Sequence, residues 1–156
     1  MAELAVGAKA PGFELERDGG GRSKLADFKG RTLVLYFYPK DDTTGCTREA
    51  VDFDALREDF AKVGAEVVGV SPDSAGRHDR FKAKHGLSLS LLSDETKTVL
   101  EAYGVWKEKS MYGRKYMGVE RTTFLIDGKG AIREIWSKVK VPGHAAAVLE
   151  AARKLR

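Results

Sequence analysis

The feature that most constrains the fold is a run of apolar, β-forming residues from Thr32 to Tyr38, with the sequence TLVLYFY. Successive side chains of a strand point to opposite faces of a sheet. A run that is apolar at almost every position therefore predicts a central strand that is buried on both faces. Pro39 is expected to end this strand, because proline has no N–H to donate to a neighbouring strand. A strand of this kind favours an α/β fold, in which other elements cover both faces of the sheet.

The rest of the chain alternates between strand and helix patterns. Before and after the central strand we predict an N-terminal hairpin around Gly19–Gly21 and a single helix that carries Phe53, Leu56, Phe60 and Val63 and ends at Gly64. A buried strand Glu66–Val70, a helix capped by Asp73 or Ser74 that runs to His85, a short strand at Leu91–Leu92 and a helix Glu95–Tyr103 follow. The chain is predicted to close with a hairpin of Arg121–Asp127 and Ala131–Trp136, and with a last helix after Pro142-Gly143 that buries Val148, Ala152 and Leu155. This order predicts one domain over residues 1–156, with a mixed sheet flanked by helices and a thioredoxin-like topology.

The composition leads us to expect a soluble globular protein. Of its 156 residues, 42% are hydrophobic and 32% are charged, which is typical of globular proteins. No apolar run approaches the roughly 20 residues that a membrane-spanning helix needs, and the N-terminus lacks the pattern of a signal peptide. One cysteine and no export signal lead us to expect a reducing cytoplasm, where a free thiol is maintained.

Cys46 is the candidate reactive residue, since it is the one cysteine in the chain and has no partner for an internal disulfide. It follows the predicted central strand after a short polar turn and is expected to lie in the first turn of a helix. Unpaired N–H groups and the positive end of the helix dipole there favour a thiolate over a thiol. The alternative is a small buried hydrophobic side chain, which is the commoner role of a free cysteine.

The segment Lys107–Lys115 is the densest basic cluster, and it is interleaved with Trp106, Met111 and Tyr112. Basic and aromatic side chains together can bind nucleic acid, but this segment is short and the net charge of the chain is only +4. We therefore interpret it as a solvated loop whose aromatic residues cover a neighbouring core, and no nucleic-acid partner is predicted.

Other chemistries have weaker support in the sequence. A cysteine hydrolase needs a histidine beside the cysteine, but His78, His85 and His144 each lie on or near a predicted surface helix. A Cys-x-x-Cys pair is absent, which disfavours a disulfide oxidoreductase. One cysteine and three dispersed histidines show no metal-ligand spacing, and Gly19–Gly21 lacks the dinucleotide fingerprint. No cofactor and no metal are predicted.

The spacing Pro39-x-x-x-Thr43-x-x-Cys46 resembles the active-site loop of peroxiredoxins, with Arg121 on a later strand as the fourth member. Similar segments in matching order extend the resemblance to the bacterioferritin comigratory protein, or Q-type, subfamily: Gly7–Phe13, Tyr36–Asp41, Gly69–Ser74, Leu91–Asp94 and Gly118–Asp127. Thr44 stands where the subfamily often has proline. Many members carry a second cysteine at the position of Val51 or near Phe81 and Lys82, so this chain resembles a one-cysteine member.

The resemblance implies a thiol-dependent peroxidase for hydrogen peroxide and organic hydroperoxides. Cys46 would be the nucleophile that becomes a sulfenic acid, and Arg121 would stabilise the thiolate and the transition state. Thr43 would donate its hydroxyl to the peroxide and so position it. A threonine just before a helix also commonly caps that helix with its side chain, and both roles can coexist. Pro39 would shape the loop and shield the sulfur. With one cysteine, the resolving thiol must come from outside, from thioredoxin, glutaredoxin or glutathione. Because the subfamily is often monomeric and sometimes dimeric, the resemblance implies a monomer or a weak homodimer. The alternative is a non-enzymatic peroxide sensor or redox relay on the same scaffold.

Overall fold

The computed structural model describes residues 4–155. Within them lie nine strands: β1 Glu14–Arg17, β2 Arg22–Lys24, β3 Thr32–Phe37, β4 Ala65–Ser71, β5 Ser90–Ser93, β6 Trp106–Met111, β7 Arg114–Val119, β8 Thr122–Ile126 and β9 Ile132–Trp136. The same residues form five α-helices: α1 Thr44–Ala55, α2 Arg57–Lys62, α3 Ala75–His85, α4 Thr98–Ala102 and α5 His144–Lys154. No helix in this part of the chain is both long enough and apolar enough to span a bilayer.

Seven of the strands form one mixed sheet in the order β2-β1-β5-β4-β3-β8-β9. Strand β3 pairs in parallel with β4 and antiparallel with β8, so it lies in the interior of the sheet as predicted. The predicted N-terminal hairpin is also present, because β1 and β2 pair antiparallel, and β1 joins the sheet beside β5. The predicted mixed sheet and thioredoxin-like architecture are therefore confirmed.

Alternate residues of β3 enter two separate cores. Val34 and Tyr36 belong to a cluster on one face that also contains Cys46 and apolar residues of α1, α2, α3 and α5. Leu33 and Leu35 belong to the cluster on the other face, together with residues of α4. Burial of both faces explains why this strand is apolar at almost every position. The carboxyl end of β3 delivers the chain directly to the helix that carries Cys46.

The predicted single helix after Cys46 is in fact two helices. Leu56 interrupts it with φ −99° and ψ 6°, which lies outside the helical region. The Asp54 carboxylate, just before the break, accepts hydrogen bonds from the backbone of Ser88 and Leu89 and so anchors the end of α1 to the loop before β5. The apolar stripe survives the break, because Phe60 on α2 is buried in the same core.

The predicted helix Glu95–Tyr103 begins later than expected, at Thr98. Lys97 has a left-handed backbone with φ 63°, which an α-helix cannot include. Asp94 precedes this turn, and its carboxylate accepts a hydrogen bond from the backbone of Leu100. The residues from 94 to 97 therefore form a turn that leads into the helix.

The basic segment Lys107–Lys115 is not a loop, because it forms most of an antiparallel hairpin of β6 and β7 outside the main sheet. Tyr112 and Gly113 form its two-residue turn with φ 51° and 78°, as a tight hairpin turn requires. Tyr112 is 98% exposed and Met111 is 55% exposed, so these side chains do not cover a core. Trp106, at the start of the hairpin, is partly buried and packs against the core that contains Leu33 and Leu35. The interpretation as a loop was therefore wrong, whereas the covering of a core by an aromatic side chain holds for Trp106 alone of the three.

Candidate active site

The first turn of α1 holds Cys46. The helix starts at Thr44, and its first backbone bond runs from the Thr47 N–H to the Thr43 carbonyl at 2.8 Å. Cys46 is the third helical residue, where backbone N–H groups and the positive end of the helix dipole face the side chain. Its side chain is only 1% exposed and packs in the core formed with Tyr36 and Phe53. The position in the first turn agrees with the sequence expectation.

Arg121 lies immediately before β8, the antiparallel neighbour of β3, and this places its side chain over the start of α1. Nη2 donates to the Cys46 sulfur at 3.4 Å, and Nη1 donates to the Glu49 carboxylate at 2.6 Å. The guanidinium is mostly buried, with 17% of its side chain exposed. Burial lowers the pKa of Arg121, but the negative charges of Glu49 and Cys46 outweigh it and hold this pKa above its ordinary value. A positive charge is thereby fixed beside the sulfur.

Glu49 is a member of the site that sequence reasoning missed. It lies three residues after Cys46, and this spacing places both side chains on one face of α1. The residue is 1% exposed, and one carboxylate oxygen, Oε2, lacks a hydrogen-bond partner among the described residues. Burial raises the pKa of Glu49 to about 7, although Arg121 acts in the opposite direction. The signal available in the sequence was the spacing of an acidic residue within the first turns of the cysteine helix.

The missing side chain of Gly45 leaves space for the guanidinium of Arg121. A Cβ atom added at this residue would lie 3.2 Å from Nη2 of Arg121, closer than ordinary van der Waals contact. Glycine normally disfavours a helix interior by about 1 kcal/mol relative to alanine. Its presence between the N-cap and Cys46 is explained by the close approach of the arginine.

Thr43 occupies the N-cap position of α1, but its side chain makes no capping hydrogen bond. The Thr43 hydroxyl instead donates to the Lys40 carbonyl at 3.0 Å. The predicted capping role of the side chain is therefore wrong. A hydroxyl has one hydrogen to donate, so in this geometry Thr43 can only accept a hydrogen bond from a bound peroxide, where we expected it to donate one.

Pro39 is half-buried between the end of β3 and this loop. Its fixed φ and missing N–H suit the point at which the chain leaves the sheet. The loop from 39 to 43 thus connects the central strand to the cysteine helix within a few residues, and both flanking elements are parts of the rigid core.

The three histidines do not hydrogen-bond Cys46. His78 and His144 are buried rather than on the surface, which corrects the sequence interpretation, and His85 binds Asp42. His144 hydrogen-bonds Thr123 at 2.8 Å and packs between the rings of Phe53 and Trp136. Burial and, to a smaller degree, Arg121 lower the pKa of His144 to about 4. The neutral imidazole of His144 is hydrogen-bonded and packed within the core, so none of the three histidines is positioned as a base for the sulfur.

One group of potential metal ligands lies close together within residues 4–155, formed by Asp41, Asp73 and His78. Both ring nitrogens of His78 already face oxygen atoms, of Asp41 and of the Leu92 carbonyl. A nitrogen that carries a hydrogen has no lone pair for a metal. The group is thus arranged as a hydrogen-bonded network.

Fold and site together define a class of protein. A thioredoxin-like sheet that holds a buried cysteine in the first turn of a helix, with an arginine against its sulfur, is the arrangement of the peroxiredoxins, which are thiol-dependent peroxidases. The comparisons with known proteins agree with this class.

The AhpC/TSA family model matches residues 6–135. Peroxiredoxin Bcp of Bacillus subtilis is 50% identical over 147 residues, which cover 94% of each chain. A PrxQ of Xylella fastidiosa, solved as a cysteine-to-serine mutant, superposes with a TM-score of 0.94 at 39% identity over 99% of both chains. A bacterioferritin comigratory protein of Xanthomonas campestris, described for its alkyl peroxide reduction activity, gives a TM-score of 0.88 at 46% identity over 92% of this chain and 91% of that one. The chain belongs to the AhpC/TSA family, and its relatives are peroxiredoxins of the Bcp or Q type.

Proposed function

We propose that this chain reduces hydrogen peroxide and alkyl hydroperoxides through the thiolate of Cys46. The observation that carries the proposal is the guanidinium of Arg121, held 3.4 Å from the sulfur inside a mostly buried site. A fixed positive charge at this distance favours the thiolate and the negative charge that spreads over the peroxide oxygens during attack. The described relative from Xanthomonas campestris supports alkyl peroxides as substrates.

In the first step the Cys46 thiolate attacks the terminal oxygen of the hydroperoxide. A sulfur–oxygen bond forms as the oxygen–oxygen bond breaks, and the products are the sulfenic acid and an alkoxide or hydroxide that takes up a proton. Sulfur is oxidised and the peroxide is reduced, so no other oxidant is needed. Arg121 lies beside the sulfur and is positioned to stabilise the developing charge.

Thr43 and Pro39 have supporting roles in this proposal. The lone pairs of the Thr43 hydroxyl accept the O–H of the peroxide, since the hydroxyl hydrogen is already donated to Lys40. This contact aligns the oxygen–oxygen bond with the sulfur. Pro39 shapes the loop and keeps water away from the thiolate.

The sulfenic acid is resolved by a thiol from outside the chain, because Cys46 is its one cysteine. The external thiol forms a mixed disulfide with Cys46 and releases water, and a second thiol then restores the Cys46 thiol. Thioredoxin, glutaredoxin and glutathione are the candidate reductants. Cys46 is 1% exposed, so each of them must meet a form in which the first turn of α1 has opened.

The test is peroxide consumption by the wild type and by Cys46→Ser, with hydrogen peroxide or cumene hydroperoxide as substrate. Thioredoxin with its reductase, glutaredoxin with glutathione, and glutathione alone are supplied in turn. We expect turnover that needs Cys46 and one of these thiols, which also identifies the reductant. One equivalent of peroxide consumed without turnover would favour a sensor or relay. Failure of Cys46 to be oxidised by either peroxide would overturn the proposal.

A further inference from the structure

The peptide group between Lys40 and Asp41 is held at both ends. Its N–H, on Asp41, donates to the Asp73 carboxylate at 2.7 Å. Its carbonyl, on Lys40, accepts the hydrogen bond from the Thr43 hydroxyl at 3.0 Å. A peptide group is planar and its N–H and C=O point in opposite directions, so a contact that fixes one end also fixes the other. The Asp73 carboxylate therefore sets the direction of the carbonyl to which Thr43 donates.

Asp73 is itself held in place by neighbours outside the loop. The same carboxylate oxygen accepts the Ser71 hydroxyl at 2.7 Å, at the end of β4. The other oxygen lies 3.3 Å from Nε of Arg77 on α3, and only 6% of the Asp73 side chain is exposed. These contacts attach the carboxylate to β4 and α3, which are parts of the core and do not belong to the loop that carries Thr43.

The side chain of Asp41 is held by a second buried contact. Nδ1 of His78 lies 2.6 Å from one carboxylate oxygen, and the Tyr38 hydroxyl donates to the other. Nε2 of His78 lies 2.9 Å from the Leu92 carbonyl, so it carries a hydrogen and donates. His78 is 0% exposed, which means that both contacts are made without competition from water. The imidazole thus links the loop to α3 and β5.

We propose that Asp73 and His78 are positioning residues for Thr43 in the peroxide reaction. They hold the Lys40–Asp41 peptide in the orientation in which its carbonyl takes the hydrogen of the Thr43 hydroxyl. The hydroxyl then presents its lone pairs to the O–H of the peroxide. This inference rests on the proposed function, in which Thr43 contacts the substrate, and it assigns the control of that contact to residues about 30 positions further along the chain.

The test combines Asp73→Ala and Asp73→Asn with Thr43→Val, which removes the hydroxyl but keeps the shape. Two rate constants are measured for each protein, one for oxidation of Cys46 by hydrogen peroxide and one for its alkylation by iodoacetamide. We expect Asp73→Ala to lower the peroxide rate constant roughly tenfold to a hundredfold, because the hydroxyl loses its orientation. Alkylation should change by less than about twofold, because the thiolate and Arg121 are untouched.

Two further results are expected if Asp73 acts through Thr43. Asp73→Asn should recover most of the rate, since its amide oxygen can still accept from the Asp41 N–H. In the Thr43→Val background, Asp73→Ala should cost nothing further, because the hydroxyl that it orients is gone. Equal losses in both backgrounds, or an equal loss of alkylation, would overturn the inference while leaving the proposed function standing. A Thr43→Val variant with the wild-type peroxide rate would overturn the proposed role of Thr43 and this inference with it.

His78 provides an independent variant in case Asp73→Ala does not fold. His78→Asn keeps a side-chain amide that can hydrogen-bond Asp41 near the position of Nδ1, and it should lose less of the peroxide rate than His78→Leu, with thermal unfolding recorded for both. Asp42→Asn is the matched control. It removes the negative charge from the exposed contacts of the same loop with Lys84 and His85 but leaves the Lys40–Asp41 peptide in place. A peroxide rate that falls as far in Asp42→Asn as in His78→Leu would show a general effect of loop attachment and overturn the assignment.

Discussion

The guanidinium of Arg121 contacts two acidic side chains. One nitrogen faces the Cys46 sulfur and another faces the Glu49 carboxylate, so a single planar group connects two residues of the same helical face. A guanidinium makes such paired contacts in one plane, whereas the ammonium of lysine is a single point of charge. The geometry of the fork, as well as its charge, is thus used at this site.

We predict that Arg121→Lys lowers the rate constant for peroxide roughly a hundredfold, although the charge is kept. The single ammonium of lysine cannot contact the sulfur and the Glu49 carboxylate together. The positive charge is then no longer fixed beside the oxygen atoms on which negative charge develops during attack. The measurement is the single-turnover oxidation of Cys46 followed by quenched-flow mass spectrometry. Arg133→Lys is the control, because Arg133 pairs with Asp127 in a half-exposed ion pair on β9. A similar small loss in both variants would show that the fork is unnecessary.

We predict that alanine has different effects at two glycines in the first turns of helices: it should stabilise the fold at Gly76 and slow the peroxide reaction at Gly45. Gly45→Ala places a Cβ 3.2 Å from Arg121, whereas Gly76→Ala on α3 meets nothing closer than 3.7 Å. Gly76→Ala should raise the free energy of unfolding by up to about 1 kcal/mol and leave the peroxide rate unchanged. Gly45→Ala should lower the peroxide rate roughly tenfold, because the guanidinium must move away from the sulfur. Unchanged kinetics in Gly45→Ala would mean that the arginine tolerates the shift.

At the scale of elements, the helices and strands that could be predicted from the sequence are those with a buried apolar face. Strands β3 and β4 and the helices α3 and α5 were located because their apolar residues follow the period of each structure. The break at Leu56 was missed, because the apolar stripe continues across it and the sequence does not display the contact of Asp54 with a loop more than 30 residues away. The hairpin of β6 and β7 was missed because its residues are mostly exposed and charged, so no apolar alternation marks it.

For the site, the loop signature and Arg121 could be predicted from the family resemblance. Glu49 could not, since an acidic residue on a helix is ordinarily solvated, and its partner Arg121 lies 72 residues further along the chain. His78 was placed on the surface for the same kind of reason, because its neighbours Leu92 and Asp41 come together only in the folded sheet. Contacts between distant segments are what a single sequence does not display.

We predict that Val51→Cys forms an internal disulfide with Cys46 only when α1 unwinds. Val51 is 41% exposed on the helix, five residues after Cys46. In an intact helix, residues at this spacing have Cα atoms about 9 Å apart, beyond the reach of a disulfide. After one equivalent of peroxide, the variant should show the disulfide by mass spectrometry together with faster amide exchange at the start of α1. Val51→Ser is the control for the substitution alone.

A sulfenic acid that persists in Val51→Cys, without the disulfide, would contradict this expectation. It would mean that α1 stays folded after oxidation. External thiols would then need another route to the buried sulfur, and the opening assumed for the reductant would be wrong.

At the scale of the whole molecule, two buried groups make the stability depend on pH in opposite ways. Glu49 has a pKa of about 7 in the folded state, above its ordinary 4.5, so the folded chain holds more protons than the unfolded chain between these values. Its contribution to stability is complete below pH 4.5 and is lost as the pH rises through 7. His144, with a pKa lowered from 6.5 to about 4, contributes stability that is lost as the pH falls from 6.5 towards 4.

We predict that the wild type shows little net slope of stability between pH 5 and 6.5, since the two contributions oppose each other there. Glu49→Gln removes the first contribution. Its free energy of unfolding, relative to the wild type, should therefore rise from pH 5 to pH 8 by an amount on the order of 2–3 kcal/mol. Urea denaturation at both pH values measures this difference. His144→Gln is the converse variant, and it should gain relative stability as the pH falls.

The packing around His144 has a consequence for how the molecule can be observed. Trp136 contacts His144, His144 contacts Phe53, and Phe53 lies in the core that contains Cys46. The other tryptophan, Trp106, packs against the core on the other face of the sheet and lies under Lys97 at the start of the hairpin. Indole emission is sensitive to the polarity and mobility of its neighbours, so oxidation that loosens α1 should alter the fluorescence of Trp136 and not that of Trp106. We therefore expect the emission of Trp136 to report the oxidation of Cys46 without an added dye.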